Sequence, residues 1–579
     1  MRAVRAALAA LALLALLVPA RADEARRAAL RDEAYQAAQR AMNSTAAAAL
    51  SQLGARFSAG ESDLAKAVRA RQDLAQAASR LDRDVTLARA TPGDDQAARV
   101  AKLRAEGDAT RARLAQADAG LRQRFPDYAE LSAPQPLSIA DTQALLDGDE
   151  ALALIFVARH ETFVWAVTRD SVDWNRVERS REAFSEDVKR LRAALDPQAF
   201  ALTRSFAEAS VEGDAPAPET TRPPFERARA AALYDALLRP FEALIAGKPR
   251  LYAVVSAPFD SLPLSLLVAA PPQGSDLSPD DLRATSWLIR RQAVVALPSP
   301  GSLRALRGAR PARQETPARQ EALARQEASA EPFRGYGAPL LGQSFDTGPS
   351  DAAPAPIPDT LTLASGAVAA LYRGGAVDRR AVSRLPALPQ TEGELKALAQ
   401  ALGAGPDALR LGAAATARAV REDDLSRFRV LAFATHGLLA GELKGLQEPA
   451  LVFTPSDEDE GLLTASQAAR LDLNADWVVL SACNTAGGDG EPGAQGFSGL
   501  ARAFFYAGAK SLLVSHWPVR DDAAARVTTG LFQRLRETPG LAKAEAHRRS
   551  VLALIDDGRD PTLAHPAVWA PFVVAGEGR

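Results

Sequence analysis

The sequence predicts an α/β protein with a mostly parallel sheet covered by helices on both faces, preceded by an N-terminal α-helical region. Three observations lead to this fold class. The chain has 579 residues, which is too long for one core and suggests several units. Its second half alternates short apolar, β-branched runs with segments of helical length, a pattern typical of strands buried on both faces. The region after the N-terminus instead repeats apolar side chains at helical spacing, with almost no glycine or proline.

The N-terminus has the pattern of a secretory signal peptide. Arg2 and Arg5 precede an unbroken apolar run at residues 7–18, and Ala20 and Ala22 form a small-x-small site. A basic start, a short apolar core and such a site are typical of a cleavable signal. We therefore expect cleavage after Ala22 and export of a bacterial envelope protein that is periplasmic or secreted. The apolar run is too short to span a bilayer comfortably, so no stable membrane insertion is expected after cleavage.

Residues 23–130 form the predicted helical region. Leu74, Leu81 and Val85 repeat at spacings of seven and four residues, as one face of a helix requires. A breaker at Thr91–Gly93 separates this helix from a second one with the same spacing, so the two are expected to fold back as a hairpin. Stripes of this kind are usually the core of a bundle. A packed bundle is therefore favoured, and a partner-binding arm stays open as the alternative.

A mixed α/β region at residues 131–245 leads into an α/β domain at residues 246–579. The lead-in contains strand-like runs at Ala151–Val157 and Thr162–Val167. The runs predicted as strands of the domain are Leu251–Ser256, Ala293–Leu297, Val430–Ala434, Ala450–Phe453, Trp477–Leu480 and Ser511–Val514. The segments predicted as helices include Glu392–Leu402, Phe497–Tyr506 and Asp521–Leu535.

The domain carries low-complexity inserts near residues 310–332 and 348–358. The first repeats the tetrapeptide ARQE three times, and the second is rich in proline and alanine. Segments this short and biased are typical of solvated linkers rather than of a repeat architecture. We expect no chemistry from them.

The charge balance and the metal-binding residue types exclude two classes of partner. Lys plus Arg number 69 and Asp plus Glu 71, so no overall attraction to nucleic acid or anionic lipid is expected. The chain has five histidines and one cysteine, and their spacing matches no metal-ligand pattern. The sequence therefore predicts no nucleic-acid partner, no metal site and no cofactor.

One histidine and the only cysteine follow two of the predicted strands. His436 and Gly437 come after the run Val430–Ala434, and Cys483 comes after Trp477–Leu480. Ligands of open parallel sheets collect outside the carboxyl ends of the strands. Both side chains are therefore expected at the same edge of the sheet. A histidine and a cysteine in these positions have the chemistry of a base and a thiol nucleophile.

The chemistry requires each of these residue types. An ordinary thiol is only a few per cent thiolate at neutral pH, and a nearby imidazole takes its proton or holds the thiolate as an ion pair. Gly437 lets a backbone N–H approach a substrate carbonyl closely, and with the N–H of Cys483 it forms the predicted oxyanion hole. Taken singly, a lone cysteine is usually a small buried hydrophobe, and a strand-end histidine usually bonds to a backbone carbonyl. Their matched positions favour a site.

Several motifs resemble the CHAT domain, the caspase-HetF-associated module often found beside TPR repeats and related to caspases and separases. They occur in family order between about Leu251 and Gly576: LYAVVSAPFDSLPLSLL, SWLIRRQAVVALPSP, LPALPQTEGELKALA, FATHG, EPALVFTP, LSACNTAGG, GFSGLARAFFYAGAKSLLVSHWPVRDDAA and HPAVWAPFVVAG. The resemblance implies a caspase-like three-layer α/β/α sandwich. The N-terminal helical region shows no clear repeat of TPR length, which departs from the usual family pattern.

The resemblance implies a cysteine peptidase in which His436 is the base, Cys483 the nucleophile, and Gly437 and Cys483 the oxyanion contacts. The expected substrate is a protein or peptide, and the N-terminal helices are a candidate surface for a protein partner. Two alternatives stay open. One is a catalytically silent caspase-like scaffold, and the other is a Cys-dependent acyltransferase, because an acyl-thioester passes to an amine as well as to water. A redox role would normally need a resolving cysteine, and this chain has only one cysteine.

Other polar residues near the predicted strand ends are interpreted as structural. His516 also ends a strand, but a Trp-Pro pair follows it, and a histidine in such packing is usually satisfied in place. Asp489, Glu491 and the acidic run at residues 457–460 offer an acidic pocket for a basic side chain. A surface acidic run is usually only a solvated loop, so this pocket is the less favoured interpretation.

Overall fold

The computed structural model describes residues 26–42, 96–124, 136–195, 223–308, 331–342, 379–388, 390–439, 448–456, 459–482, 499–517 and 520–579, together with isolated positions elsewhere. The predicted signal peptide, the hairpin turn at Thr91–Gly93 and Cys483 lie outside the described residues. The strands are β1 Glu150–Val157, β2 Thr162–Thr168, β3 Val172–Val177, β4 Arg250–Val255, β5 Ala293–Ala296, β6 Glu331–Gly337, β7 Leu409–Leu411, β8 Phe428–Ala434, β9 Gly437–Leu438, β10 Ala450–Val452, β11 Leu462–Thr464, β12 Trp477–Ser481, β13 Ser511–Ser515 and β14 Phe572–Gly576.

The described α-helices are distributed along the chain, and helices pack on both faces of the sheet. Their bounds are α1 26–41, α2 Gln96–Arg124, α3 Ile139–Leu145, α4 Arg181–Leu195, α5 Arg227–Leu237, α6 Glu242–Ile245, α7 Pro279–Ala284, α8 Leu288–Arg291, α9 Pro300–Gly308, α10 Arg379–Ser383, α11 Thr391–Ala401, α12 Ala417–Glu422, α13 Ala465–Ala468, α14 Gly499–Ala507, α15 Asp521–Glu537, α16 Lys543–Ile555 and α17 Pro566–Trp569. In the part of the chain that the structure describes, no helix is long and apolar enough to cross a membrane.

Eleven strands form one sheet in the order β3-β2-β1-β4-β5-β14-β13-β12-β8-β6-β7. Most neighbouring strands run parallel, and antiparallel pairs occur at β1–β2, β2–β3 and β13–β14. This confirms the predicted α/β class with a mostly parallel sheet. The lead-in strands β1 to β3 and the strands of the following domain therefore belong to the same sheet.

Strand β12 shows why these sequences form buried strands. Its residues from Trp477 to Leu480 are all buried, as expected of a parallel strand covered on both faces. Successive side chains point to opposite faces, so Val479 joins one apolar core while Val478 and Leu480 join the other. Leu395 of α11 lies in the first core and Phe504 of α14 in the second. Helices thus cover both faces of the sheet, so a functional site is expected at the ends of the strands.

The predicted strands of the main sheet are present with small shifts of their bounds. The run Val430–Ala434 begins earlier, at Phe428, and Trp477–Leu480 extends to Ser481. The helix predicted from Asp521 extends past its expected end, to Glu537. Strand and helix types are thus correct, and only the element ends differ.

Two sequence-based assignments differ from the structure. The run Ala450–Phe453 does not join the main sheet, because β10 lies in a separate antiparallel sheet between β9 and β11. A short apolar run carries no information about which sheet it joins. The linker predicted at residues 310–332 ends early, because Glu331 and Pro332 are the first residues of β6.

Helix α1 attaches the N-terminal region to the lead-in strands. The Tyr35 ring is fully buried and packs edge-on against Trp165, with ring centroids 5.9 Å apart. The Gln39 side chain donates to the Leu137 carbonyl at 2.8 Å and accepts from the Leu137 N–H at 2.9 Å. Most described side chains of α2 are instead exposed. Asp118 of α2 pairs with Arg71 at 2.8 Å, and the choice between a packed bundle and a partner-binding arm stays a prediction.

A buried ionic cluster joins the lead-in to the C-terminal end of the chain. Glu150, at the start of β1, lies 2.9 Å from the Arg307 guanidinium, and Glu577 lies 2.8 Å from the same group. The Tyr252 hydroxyl donates to Glu577 at 3.0 Å. Burial raises the pKa of Glu577, but hydrogen bonding and charge from Arg307 outweigh it and lower that pKa to about 2. The carboxylate is therefore ionised, and its loss would leave the buried Arg307 with Glu150 as its one remaining carboxylate partner among the described residues.

Candidate functional site

The strand ends that carry the predicted histidine and cysteine are neighbours in the sheet. Strands β8 and β12 pair in parallel with Ala434 opposite Ser481, and the Thr435 N–H donates to the Ser481 carbonyl at 3.2 Å. His436 follows Ala434 by two residues, and Cys483 follows Ser481 by the same number. Cys483 itself lies outside the described residues. The Cys483–His436 dyad therefore stays a prediction, made on two strand ends that the structure brings together.

His436 is oriented by a backbone carbonyl. Its ring is half-buried, and its Nε2 lies 2.7 Å from the carbonyl oxygen of Pro386. Because a carbonyl oxygen only accepts hydrogen bonds, Nε2 carries the proton in this contact. In the neutral ring Nδ1 is then the nitrogen with a free lone pair. The Pro386 contact thus favours the tautomer in which Nδ1 is the acceptor nitrogen, as the predicted base requires.

The backbone N–H of Gly437 is not used by its own sheet. The Val452 N–H donates to the His436 carbonyl at 2.9 Å, which makes this a hydrogen-bonded pair. Gly437 lies opposite Leu451 at the next position, and such pairs alternate along an antiparallel ladder. The Gly437 N–H therefore points away from β10, and β9 is an edge strand of the three-stranded sheet. This direction suits the predicted oxyanion contact.

A buried carboxylate holds the end of β12. Glu394 of α11 is 3% exposed, and its Oε2 accepts a hydrogen bond from the Ser481 hydroxyl at 3.0 Å. Its Oε1 accepts from the Thr528 hydroxyl of α15 at 2.9 Å. On the other side of β12, the Ser515 hydroxyl donates to the Ala482 carbonyl at 2.7 Å. Side chains from α11 and β13 thus hold the two residues before Cys483, and Thr528 of α15 in turn bonds the α11 carboxylate.

Sequence reasoning missed Glu394 and the Pro386 carbonyl. A glutamate in an amphipathic helix is usually read as part of the solvent face. The spacing of Glu394 does indicate its burial, because it lies three residues after buried Thr391 and next to Leu395 on the apolar face of α11. The Pro386 contact has no such signal, since any residue supplies a carbonyl.

His516 is only partly satisfied in place, which differs from the expectation, while its structural role stays a prediction. Its side chain is 7% exposed, and its Nδ1 has no hydrogen-bond partner among the described residues. Burial, and then the positive charge of Arg192, lower the pKa of His516 to about 3. The ring is therefore neutral at physiological pH.

The acidic residues considered as a recognition pocket are only partly described. Asp459 is paired, because its carboxylate lies 2.9 Å from the Arg421 guanidinium and also accepts from the Gly461 N–H. Asp459 is buried, so it is neither a solvated acid nor a carboxylate open to a basic ligand, whereas Glu460 is exposed. Residues 457–458, Asp489 and Glu491 lie outside the described residues.

One group of carboxylates in the described residues is close enough to share a cation. It consists of Asp147, Asp149 and Glu150. Glu150 is already bound to Arg307 at 2.9 Å, and Asp149 to Arg250 at 2.8 Å. The arginine pairs account for the close approach of these carboxylates.

The fold and the arrangement of its strand ends assign this chain to a broad structural class. The class is that of α/β proteins with a mostly parallel sheet, in which ligands typically bind at the carboxyl ends of the strands. The family model described as "CHAT domain" matches residues 227–577, more than half of the chain, so this protein belongs to the CHAT-domain family. The recognition made from the motifs is confirmed.

Relatives and solved structures share less with this chain. Tetratricopeptide repeat protein 28 of Mus musculus is 34% identical over 117 residues, which is 20% of this chain and 4% of the length of that relative. A Saccharomyces cerevisiae separase–securin complex covers 78% of this chain and 31% of its own chain, with 9% identity and a TM-score of 0.37. The Arg-specific cysteine proteinase gingipain R (RgpB) covers 61% of this chain and 68% of its own, with 10% identity and a TM-score of 0.29. These values are too low to assign an activity to this chain.

Proposed function

We propose that this protein is an exported cysteine endopeptidase that cleaves protein or peptide substrates through Cys483 and His436. The observation that carries the proposal is the Pro386–His436 hydrogen bond, which leaves Nδ1 as the base beside the strand that leads to Cys483. Membership of the CHAT-domain family supports the same reaction class. No cofactor or metal is required for this chemistry.

The proposed reaction has two steps. His436 Nδ1 takes the proton of the Cys483 thiol, and the thiolate attacks the carbonyl carbon of the scissile peptide bond. The N–H groups of Gly437 and Cys483 donate to the oxyanion of the tetrahedral intermediate. His436 returns its proton to the leaving amine, which gives an acyl-thioester. Water then attacks the thioester with His436 as the base and releases the acid and the free thiol.

A peptide-library assay tests this proposal directly. Wild-type chain, Cys483→Ala and His436→Ala are compared, with His160→Ala as a control because His160 is exposed in the turn between β1 and β2. We expect wild type and the control to cleave peptides. Both site variants should lose this activity by at least about a hundredfold. Undiminished cleavage by Cys483→Ala would refute the mechanism.

The acyltransferase alternative is separated by adding a labelled amine to the same assay. If the acyl group passes to the amine in preference to water, the chain is an acyltransferase that uses the same two residues. If hydrolysis dominates at any amine concentration, the endopeptidase proposal stands.

A second function is supported by the N-terminal helices. Helix α2 has 29 residues and exposes most of its described side chains, while α1 is attached to the lead-in strands. We propose that this region recruits a protein partner, which is also the scaffold alternative if the dyad is silent. A chain lacking residues 96–124 should lose partner capture from an envelope extract while it keeps Cys483 alkylation.

Export is proposed from the sequence pattern of residues 1–22. The mature chain is expected to begin at Asp23, in the periplasm or outside the cell. N-terminal sequencing of the protein from the envelope and medium tests this. A mature chain that still contained residues 11–17 would contradict it.

A further inference from the structure

A cavity of about 240 Å³ lies against one face of the main sheet, and His436 is not among the described residues that line it. Alternate residues of three strands line it, which places their side chains on the same face. These residues are Ala253 and Val255 of β4, Val294 and Ala296 of β5, and Val573 of β14. The floor is therefore apolar, and the volume corresponds to about eight water molecules.

Two buried imidazoles line the same cavity without hydrogen-bond partners. His516 and His547 are 7% and 4% exposed. The Nδ1 of His516 and the Nε2 of His547 have no partner among the described residues. Burial lowers the pKa of His547 to about 4, so that this ring, like that of His516, is neutral. A neutral imidazole offers one acceptor nitrogen, and buried polar groups in native proteins are rarely left unpaired.

A carboxylate with no cationic partner completes the lining. Asp260 is half-buried and forms no ion pair with the described residues. Burial raises the pKa of Asp260 to about 6, against the lowering effect of backbone N–H groups. Arg181 also lines the cavity, but its guanidinium donates to the Val157 carbonyl at 2.8 Å and makes no ion pair with Asp260. No described residue thus neutralises the negative charge of Asp260.

We propose that this cavity binds a small organic cation, an alkylguanidinium or alkylammonium. Its charged end pairs with Asp260, and its N–H groups donate to the free nitrogens of His516 and His547. Its alkyl chain lies on the apolar floor formed by β4, β5 and β14. A guanidinium fits the chemistry best, because it carries five N–H donors and no acceptor. Pockets with an apolar body and few converging polar groups are typical of small-molecule sites.

Calorimetric titration of the full chain with agmatine tests the proposal, since agmatine carries both a guanidinium and an amine on a four-carbon chain. Valerate serves as the anionic counterpart of similar length. Agmatine is expected to bind one site per chain, and valerate is expected not to bind. Asp260→Asn and His547→Leu should each weaken agmatine at least about tenfold, since each removes a hydrogen bond to a charged group. The control Asp170→Asn, at an exposed turn, should leave the affinity unchanged.

Two results would overturn the proposal. One is the absence of saturable agmatine binding to the wild-type chain, and the other is an unchanged affinity in a folded Asp260→Asn variant. The agmatine–valerate comparison needs no variant, so it decides the question even if a substitution prevents folding. Binding of valerate in place of agmatine would also contradict the assigned charge.

Discussion

His436 and His516 lie at the ends of two strands of one sheet, and their surroundings differ in every respect that matters for proton transfer. His436 is half-buried, and its Nε2 is bonded to the Pro386 carbonyl at 2.7 Å. His516 is 7% exposed, has a free Nδ1, and has its pKa lowered to about 3. The sequence places both at strand ends, yet only one has an orienting acceptor and access to solvent.

The comparison teaches that a strand-end position does not by itself make a base. A general base needs a group that fixes its tautomer and an environment that tolerates its charged form. The end of β8 supplies the Pro386 carbonyl, while the end of β13 supplies burial and the nearby Arg192 charge, which oppose protonation. His516 is therefore suited to binding a donor and not to taking a proton.

The largest expected effect concerns the carboxylate that holds β12 beside His436. Glu394→Ala removes the buried acceptor of the Ser481 hydroxyl and leaves a cavity beside Thr528, which keeps the Ala524 carbonyl as an acceptor. The free energy of unfolding should therefore fall by about 3 kcal/mol. Urea unfolding monitors the change. Glu392→Ala is the matched control, because Glu392 lies on the exposed side of the same helix and should change stability by less than about 0.5 kcal/mol. Equal losses in the two variants would show that Glu394 has no special role.

The next prediction uses the buried state of His516. Its folded pKa of about 3 lies below the unfolded value of about 6.5, so between these values the unfolded chain binds more protons. The contribution of the neutral His516 ring to the free energy of unfolding is fully present above pH 6.5 and is lost as the pH falls towards 3. Between pH 7 and pH 5, wild type should lose about 2 kcal/mol more than His516→Leu, which cannot titrate there. Parallel pH profiles of the two proteins in urea unfolding would contradict this account of His516.

The smallest expected effect concerns the close approach of β6 to the end of β8. A Cβ at Gly337 would lie 2.5 Å from the Ala434 carbonyl oxygen and 2.7 Å from Leu395 Cδ1. Gly337→Ala should therefore cost about 1–2 kcal/mol in thermal or urea unfolding, because backbone atoms must shift. Gly393→Ala, in α11 with open space around its Cβ position, should be neutral or slightly stabilising. A neutral Gly337→Ala would mean that the strand end is loosely packed.

The sequence predicted the two strands of this site, because they depend on local patterns of apolar residues. The apolar run ending at Leu480 and the run ending at Ala434 identified two strands, and a parallel sheet then brought their ends together. The CHAT-domain motifs identified the family, which the family model confirms. What local patterns cannot show is contact between distant backbone groups, and the Pro386–His436 hydrogen bond is of that kind.

The misses have the same origin. Glu394 is polar, so the pattern of its helix placed it by default towards solvent, while Ser481 and Thr528 come from elements far along the chain. The run Ala450–Phe453 has the composition of a main-sheet strand, but its partners are two short strands with little signal of their own. Tertiary pairing decided these cases, and sequence periodicity does not record it.

Alkylation of Cys483 across pH tests the central claim most directly. A small thiol alkylator is applied to wild type, His436→Ala and His516→Leu, and the rate is followed from pH 5 to pH 9. We predict rapid alkylation of wild type and of His516→Leu well below pH 8.5. His436→Ala should lose this rapid alkylation, because in the proposed dyad only His436 stabilises the thiolate. An equal rate in wild type and His436→Ala, with the ordinary pH dependence of a free thiol, would contradict the dyad.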